Sequence, residues 1–197
     1  MTEIVLFHYA QRLTPGIVAF ADELRGAGHT VHTPDLYDGN TFDTLEEGVG
    51  YARQVGFESI SEQAVRAAEA LPAAVVYAGV SLGVGPAQQL AQTREGARGA
   101  LLLSACLPRS EFGPLWPETV PVQIHAKEND PEFDNGWDLP AAQAIVSEAS
   151  NGELFLYPGD QHLFADSSLS SYDAEAAALV TGRVLGFLDD IEEQAAP

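Results

Sequence analysis

The sequence predicts one α/β domain built on a mostly parallel sheet of about six strands, with helices on both faces. Three observations predict it. Six short, apolar, β-rich runs are distributed along the chain and interleaved with helix-like segments, the pattern of βαβ units. The third run, "AAVVYAGV", is apolar throughout rather than at alternate positions, as strands covered on both faces are. The chain has 197 residues, 46% of them hydrophobic, enough for a single sizeable core. No repeat or linker divides it, so residues 1–197 are expected to form one domain.

Each element follows from local chemistry. "EIVLFHYA" is the first strand. Thr14 is a natural N-cap and Pro15 suits the first helical position, while Ile17, Phe20, Ala21 and Leu24 recur at helical spacing up to Gly26 or Gly28. "HTVHTP" reads as a second strand stopped by Pro34, and "DLYDGN" as a turn-rich loop. Thr41 to Leu71 is mostly helical, with breaks expected at Gly48, Gly50 and Gly56. After the third strand comes a Gly–Val–Ser–Leu–Gly turn and a helix to about Thr93, then the strand "GALLLSA" and a Pro-rich loop. The strand "VPVQIHA", the helix "LPAAQAIVSEAS", the strand "GELFLYPG" and a helix from Tyr172 to about Glu193 complete the chain.

Composition narrows the function. There are 29 acidic residues against nine Lys plus Arg, a formal net charge of −20. That field repels phosphate backbones, so no nucleic-acid partner is expected. No apolar run approaches the roughly 20 residues that span a bilayer, so no membrane partner is expected either. The start "MTEIVLFHYAQRL" lacks a basic region followed by a longer apolar core and reads as a strand, not as a signal peptide. A lone cysteine, Cys106, excludes an internal disulfide framework and fits a cytoplasmic location.

In a parallel sheet, ligands bind at the carboxyl ends of the strands. The loops there carry His8, Tyr9 and Ala10 after the first strand, and Asp35, Tyr37 and Asp38 after the second. Ser81 follows the third strand, Asp130 and Asp134 the fifth, and His162 the sixth. A serine hydroxyl needs a base to become a nucleophile, and an imidazole serves when a carboxylate fixes its tautomer. Ser81, Asp130 and His162 supply these groups in the chain order of an α/β-hydrolase triad. Asp134 is the main rival for the acid and Asp160 a lesser one. The turn sets the Leu82 N–H at a helix N-terminus, where it suits an oxyanion, and a second donor is expected from Tyr9 or Ala10. His29, His32 and His125 lie in or beside strands and are expected to be structural. No grouping has metal-ligand spacing, so no metal is expected.

These residues resemble the dienelactone hydrolase family. The likeness lies in "TPDLYDG", "AGVSLGVG", "VPVQIHAKENDPEF" and "LYPGDQHLFADSS", and covers nearly the whole chain. It implies a compact α/β-hydrolase fold and hydrolysis of an ester or lactone through an acyl-enzyme, without a cofactor. It also marks three departures. Ser81 stands where dienelactone hydrolases proper have a cysteine. Tyr9 or a neighbour stands where they have a controlling glutamate. Asp166 stands where an arginine grips the substrate carboxylate. The family's general chemistry is therefore expected, acting on a small, neutral ester or lactone rather than an anionic dienelactone. A monomer is expected, with a homodimer as the alternative.

Loop aromatics suggest a pocket: Tyr37, Trp116, Phe133 and Phe164, with His8 beside them and Phe112 and Trp137 as further candidates. Two other readings compete with the esterase or lactonase. One is a non-catalytic binding or regulatory protein on a hydrolase scaffold. The other is a flavodoxin-like nucleotide binder, which lacks a phosphate-cradling glycine loop at "HYAQRLTPG".

Overall fold

A computed structural model describes residues 1–195. In chain order it runs β1 (Glu3–Phe7), α1 (Pro15–Gly26), β2 (Thr30–His32), α2 (Leu45–Val55), α3 (Phe57–Glu69) and β3 (Val76–Val80). A 3₁₀ turn (Ser81–Gly83) leads into α4 (Val84–Thr93), followed by β4 (Gly99–Leu103), β5 (Val122–Lys127), α5 (Asp138–Glu148), β6 (Gly152–Tyr157) and α6 (Ala174–Ala195). The sheet order is β2-β1-β3-β4-β5-β6, and every pairing is parallel.

The period of two along each strand divides the core into two layers. Val5 and Phe7 of β1, Tyr77 of β3, and Ala100 and Leu102 of β4 face α2–α5, meeting Ala52, Ile60, Ala87, Leu90 and Ile145. Ile4, Leu6, Val76, Ala78, Leu101 and Leu103 face α1 and α6, meeting Ile17, Phe20, Leu24, Val184 and Leu188. All five residues of β3 and all five of β4 are buried, which explains their unbroken apolar sequences. β6 closes one edge and is only partly buried. Among the described residues no helix is long and apolar enough to cross a membrane.

Capping fixes the helix starts. The Thr14 hydroxyl accepts from the Ile17 N–H at 3.2 Å, with Pro15 beside it. Thr44 and Glu47 form a reciprocal capping box at the start of α2. One expectation is corrected. Gly48 and Gly50 lie inside α2, and the break comes at Gly56 alone, where φ is 96°. Gly48 serves close approach instead, since a Cβ there would overlap the Ala10 carbonyl.

The strand order reverses direction between β1 and β3. The chain steps outward from β1 to β2, returns to β3, and then proceeds through β4, β5 and β6. The loops after β1 and β3 therefore diverge, and a crevice opens between them at the carboxyl ends.

Candidate active site

Ser81 stands at this switch point with φ of 49°, a left-handed conformation that a non-glycine residue adopts only when its surroundings impose it. Two glycines allow the close packing around it. A Cβ on Gly79 would strike the Gly83 carbonyl, and a Cβ on Gly83 would strike the carbonyl oxygens of Phe7 and His8. The turn is therefore pressed against the end of β1, and Ser81 projects from its tip.

The loops after β5 and β6 bring the other groups to it. His162 Nε2 lies 3.0 Å from Ser81 Oγ. Its Nδ1 lies 2.7 Å from Asp130 Oδ2. Asp130 is fully buried, and its second oxygen accepts from the Glu132 N–H at 2.9 Å. A carboxylate only accepts, so the proton of neutral His162 sits on Nδ1 and the Nε2 lone pair faces the serine hydroxyl. Such a chain can draw a proton from Ser81. Asp134 is exposed and meets Asp130 only through its backbone N–H. Asp160 is also exposed, bonded to the Gln161 amide. Neither approaches His162 as Asp130 does.

Lys127 steadies the histidine loop. It is almost fully buried, donates to Asp173 at 2.6 Å and to the Pro158 carbonyl at 2.8 Å, and covers the Phe164 ring at 4.9 Å. Its charge is tolerated inside because that partner and carbonyl replace water. Asp173 also accepts from the first N–H groups of α6, and Lys127 holds its carboxyl below the usual range.

An open cleft of about 740 Å³ lies over Ser81, Leu82 and His162. Val49, Phe57 and Ile60 form one wall, while Leu107 and Phe112 come from the loop after β4. Glu58, Glu111, Glu132 and Asp138 also line it, and among the described residues no Lys or Arg does. Burial pushes the Asp138 carboxyl up, against hydrogen bonds from the Cys106 N–H and Asn135. Tyr9 and Ala10 are both buried, and of the two only Ala10 borders the cleft.

Of the expected pocket aromatics only Phe112 lines the cleft; the others lie elsewhere, and this is a correction. Tyr37, Trp116, Phe133 and Phe164 are all buried in the core, and none borders the cleft. Rings this large gain more from covering the sheet than from facing solvent. The Trp116 indole N–H, for example, donates to the Val120 carbonyl at 2.7 Å. Trp137 projects into solvent, 72% exposed. His8 is buried as well. Its Nδ1 donates to the Tyr9 carbonyl at 2.7 Å, and its Nε2 accepts from the Leu36 N–H at 2.9 Å. Burial depresses its pKa, so the ring is a neutral strut rather than a partner of Asp35. Phe57 and Ile60 were missed because α3 does not follow a strand. Cys106 is buried and its thiol is pushed up by burial, which leaves it inert.

No curated protein matches the sequence. Solved structures resemble the fold at low identity. A dienelactone hydrolase-like promiscuous phosphotriesterase from metagenomic libraries is 17% identical, with a TM-score of 0.74 over 97% of this chain and 87% of its own. A dienelactone hydrolase from Anabaena variabilis is 20% identical, with a TM-score of 0.63 over 93% and 83%. Tomato methylketone synthase I is 14% identical, with a TM-score of 0.65 over 96% and 98%. Likeness at such identities speaks for the α/β-hydrolase fold alone. The family model of the dienelactone hydrolases, in contrast, matches residues 4–192, nearly the whole chain including the three strand-end loops that carry Ser81, Asp130 and His162. With that match added to the fold, the chain belongs to the dienelactone hydrolase family.

Proposed function

We propose that this protein is a serine hydrolase that cleaves small carboxylic esters or lactones through an acyl-enzyme on Ser81. The observation that carries the reading is the 3.0 Å approach of His162 Nε2 to the hydroxyl of a serine held at positive φ. Ser81 Oγ attacks the carbonyl carbon while its proton passes to His162. Asp130 stabilises the imidazolium, and the Leu82 and Ala10 N–H groups receive the oxyanion. As the tetrahedral species collapses, His162 protonates the leaving alkoxide. Water then attacks the acyl group with His162 as base, releasing the acid and restoring Ser81. Among the described residues the cleft carries carboxylates and no Lys or Arg, which favours neutral substrates over carboxylate-bearing ones.

The test is treatment with a fluorophosphonate probe, followed by intact-mass analysis and peptide mapping. One adduct on Ser81 is expected, absent from Ser81→Ala and lost or strongly slowed in His162→Ala. A wild-type protein that remains unlabelled under conditions that label a control hydrolase would instead favour the non-catalytic binding scaffold.

A further inference from the structure

The loop after β1 has no regular structure, yet an oxyanion donor has to be aimed to within a few tenths of an ångström to be useful. What aims it is visible in Asp166, four residues beyond His162. Its carboxylate is almost fully buried and no Lys or Arg among the described residues pairs with it. Hydroxyl and amide donors surround it instead. Oδ2 accepts from the Tyr9 phenol at 2.9 Å and from the Thr14 hydroxyl. Oδ1 accepts from the Ser168 N–H at 2.8 Å and from its hydroxyl at 2.6 Å. Bonds to a buried charge are the strong kind, and a buried charge that lost them would be costly.

Three pieces of chain are thereby tied at one point: the β1 loop through Tyr9, the start of α1 through Thr14, and the loop that carries His162. Tyr9 is held at its other end too, because the His8 imidazole grips its carbonyl at 2.7 Å. In a trans peptide the C=O and the following N–H point in opposite directions. Holding the Tyr9 carbonyl therefore sets the direction of the Ala10 N–H, which has no hydrogen-bond partner among the described residues and belongs to a residue on the cleft. The position that the family resemblance would give to substrate binding faces inward here.

We propose that Asp166 is a positioning residue, which through the Tyr9 phenol locks the Tyr9–Ala10 peptide so that the Ala10 N–H meets the oxyanion. The proposal rests on the serine hydrolase reading. Tyr9→Phe is the sharpest probe, since it removes one O–H and leaves the ring and backbone. Asp166→Asn and the double variant accompany it, all assayed on a neutral aryl ester at a temperature where melting curves show each to be folded. Tyr9→Phe is expected to lower kcat roughly 5- to 50-fold, less than outright removal of a donor, with KM changed less than about twofold. Affinity for a trifluoromethyl ketone, whose adduct with Ser81 places an oxyanion in the same spot, should fall by the same factor. The double variant should be no worse than the poorer single one, because both disturb the same Tyr9–Asp166 bond. Unchanged kcat and ketone affinity in Tyr9→Phe would overturn the proposal while leaving Ser81 labelling intact. A loss confined to melting temperature, or one shared equally by KM, would overturn it as well. If wild-type Ser81 is not labelled at all, both the proposal and the reading beneath it fall.

Discussion

At the scale of single residues, the strand-end groups were the most legible. A serine between Gly79 and Gly83, an aspartate directly after β5 and a histidine after β6 could be read off because a parallel sheet gathers its strand ends into one crevice. The choice between Asp130 and Asp134 was not legible, since it depends on which carboxylate the turn points inward. The geometry brings Asp130 within 2.7 Å of His162 and leaves Asp134 in solvent. Asp130→Asn should therefore preserve shape yet present the wrong partner to Nδ1, and kcat should fall on the order of 10³- to 10⁴-fold. Asp134→Asn should stay within about twofold of wild type. Steady-state kinetics on one neutral ester decide the matter, and equal losses in the two variants would count against Asp130 as the orienting acid. The pocket aromatics show where reading by residue ends. Tyr37 and Phe133 follow strands as Asp130 does, but an apolar ring in a loop turns toward the core, and nothing local says so.

At the scale of elements, all six strands and their neighbours were legible from apolar runs, helix spacing and the Thr14–Pro15 start. Boundaries and interior polar groups were not. β5 is the clearest case, because its sequence "VQIHAK" buries Gln123, His125 and Lys127. His125 Nε2 donates to Gln123 Oε1 at 2.8 Å, and with the ring neutral its Nδ1 accepts from the Tyr157 hydroxyl at 2.9 Å. Burial lowers its pKa to about 3, with Arg183 nearby adding to the effect. The unfolded chain binds a proton near pH 6.5 that the folded chain refuses until about pH 3. In that window the unfolded state holds more protons, so stability falls as pH falls. At pH 5 the cost is on the order of 2 kcal/mol from this one group, and His8, shifted the same way, adds to it. Relief of the molecule's negative self-repulsion acts in the opposite sense, so the informative quantity is a difference. Lowering the pH from 7.5 to 5 should move the urea midpoint further in the destabilising direction for wild type than for His125→Gln, which binds no proton at this position. Equal separations would mean that β5 accommodates the charged ring.

At the scale of the whole molecule, the net charge of −20 matters only where field lines reach the chemistry. The sequence showed the excess but not its distribution, which follows from where the few cations are spent. Arg94 holds the Ala68 and Leu71 carbonyls, Lys127 pairs with Asp173, and Arg183 stacks on Phe155. None of them lines the cleft, whereas four carboxylates do. A concave, partly apolar wall focuses such a potential, and mobile ions weaken it over a Debye length of about 10 Å at 0.1 M salt. Three p-nitrophenyl esters of similar size separate this effect from shape: a neutral butyrate, a hemisuccinate carrying a carboxylate, and an acyl chain ending in a quaternary ammonium. At low salt, kcat/KM should be lowest for the hemisuccinate. Raising salt from about 10 mM to about 0.5 M should increase the hemisuccinate value several-fold, decrease that of the ammonium ester, and leave the butyrate within about twofold. Glu58→Gln with Glu111→Gln should shrink both salt effects without touching the butyrate rate, because these carboxylates border the cleft and take no part in the proton relay. Identical salt profiles for all three esters would mean that solvent screens the rim completely, and would overturn selection of substrates by the charge of the cleft.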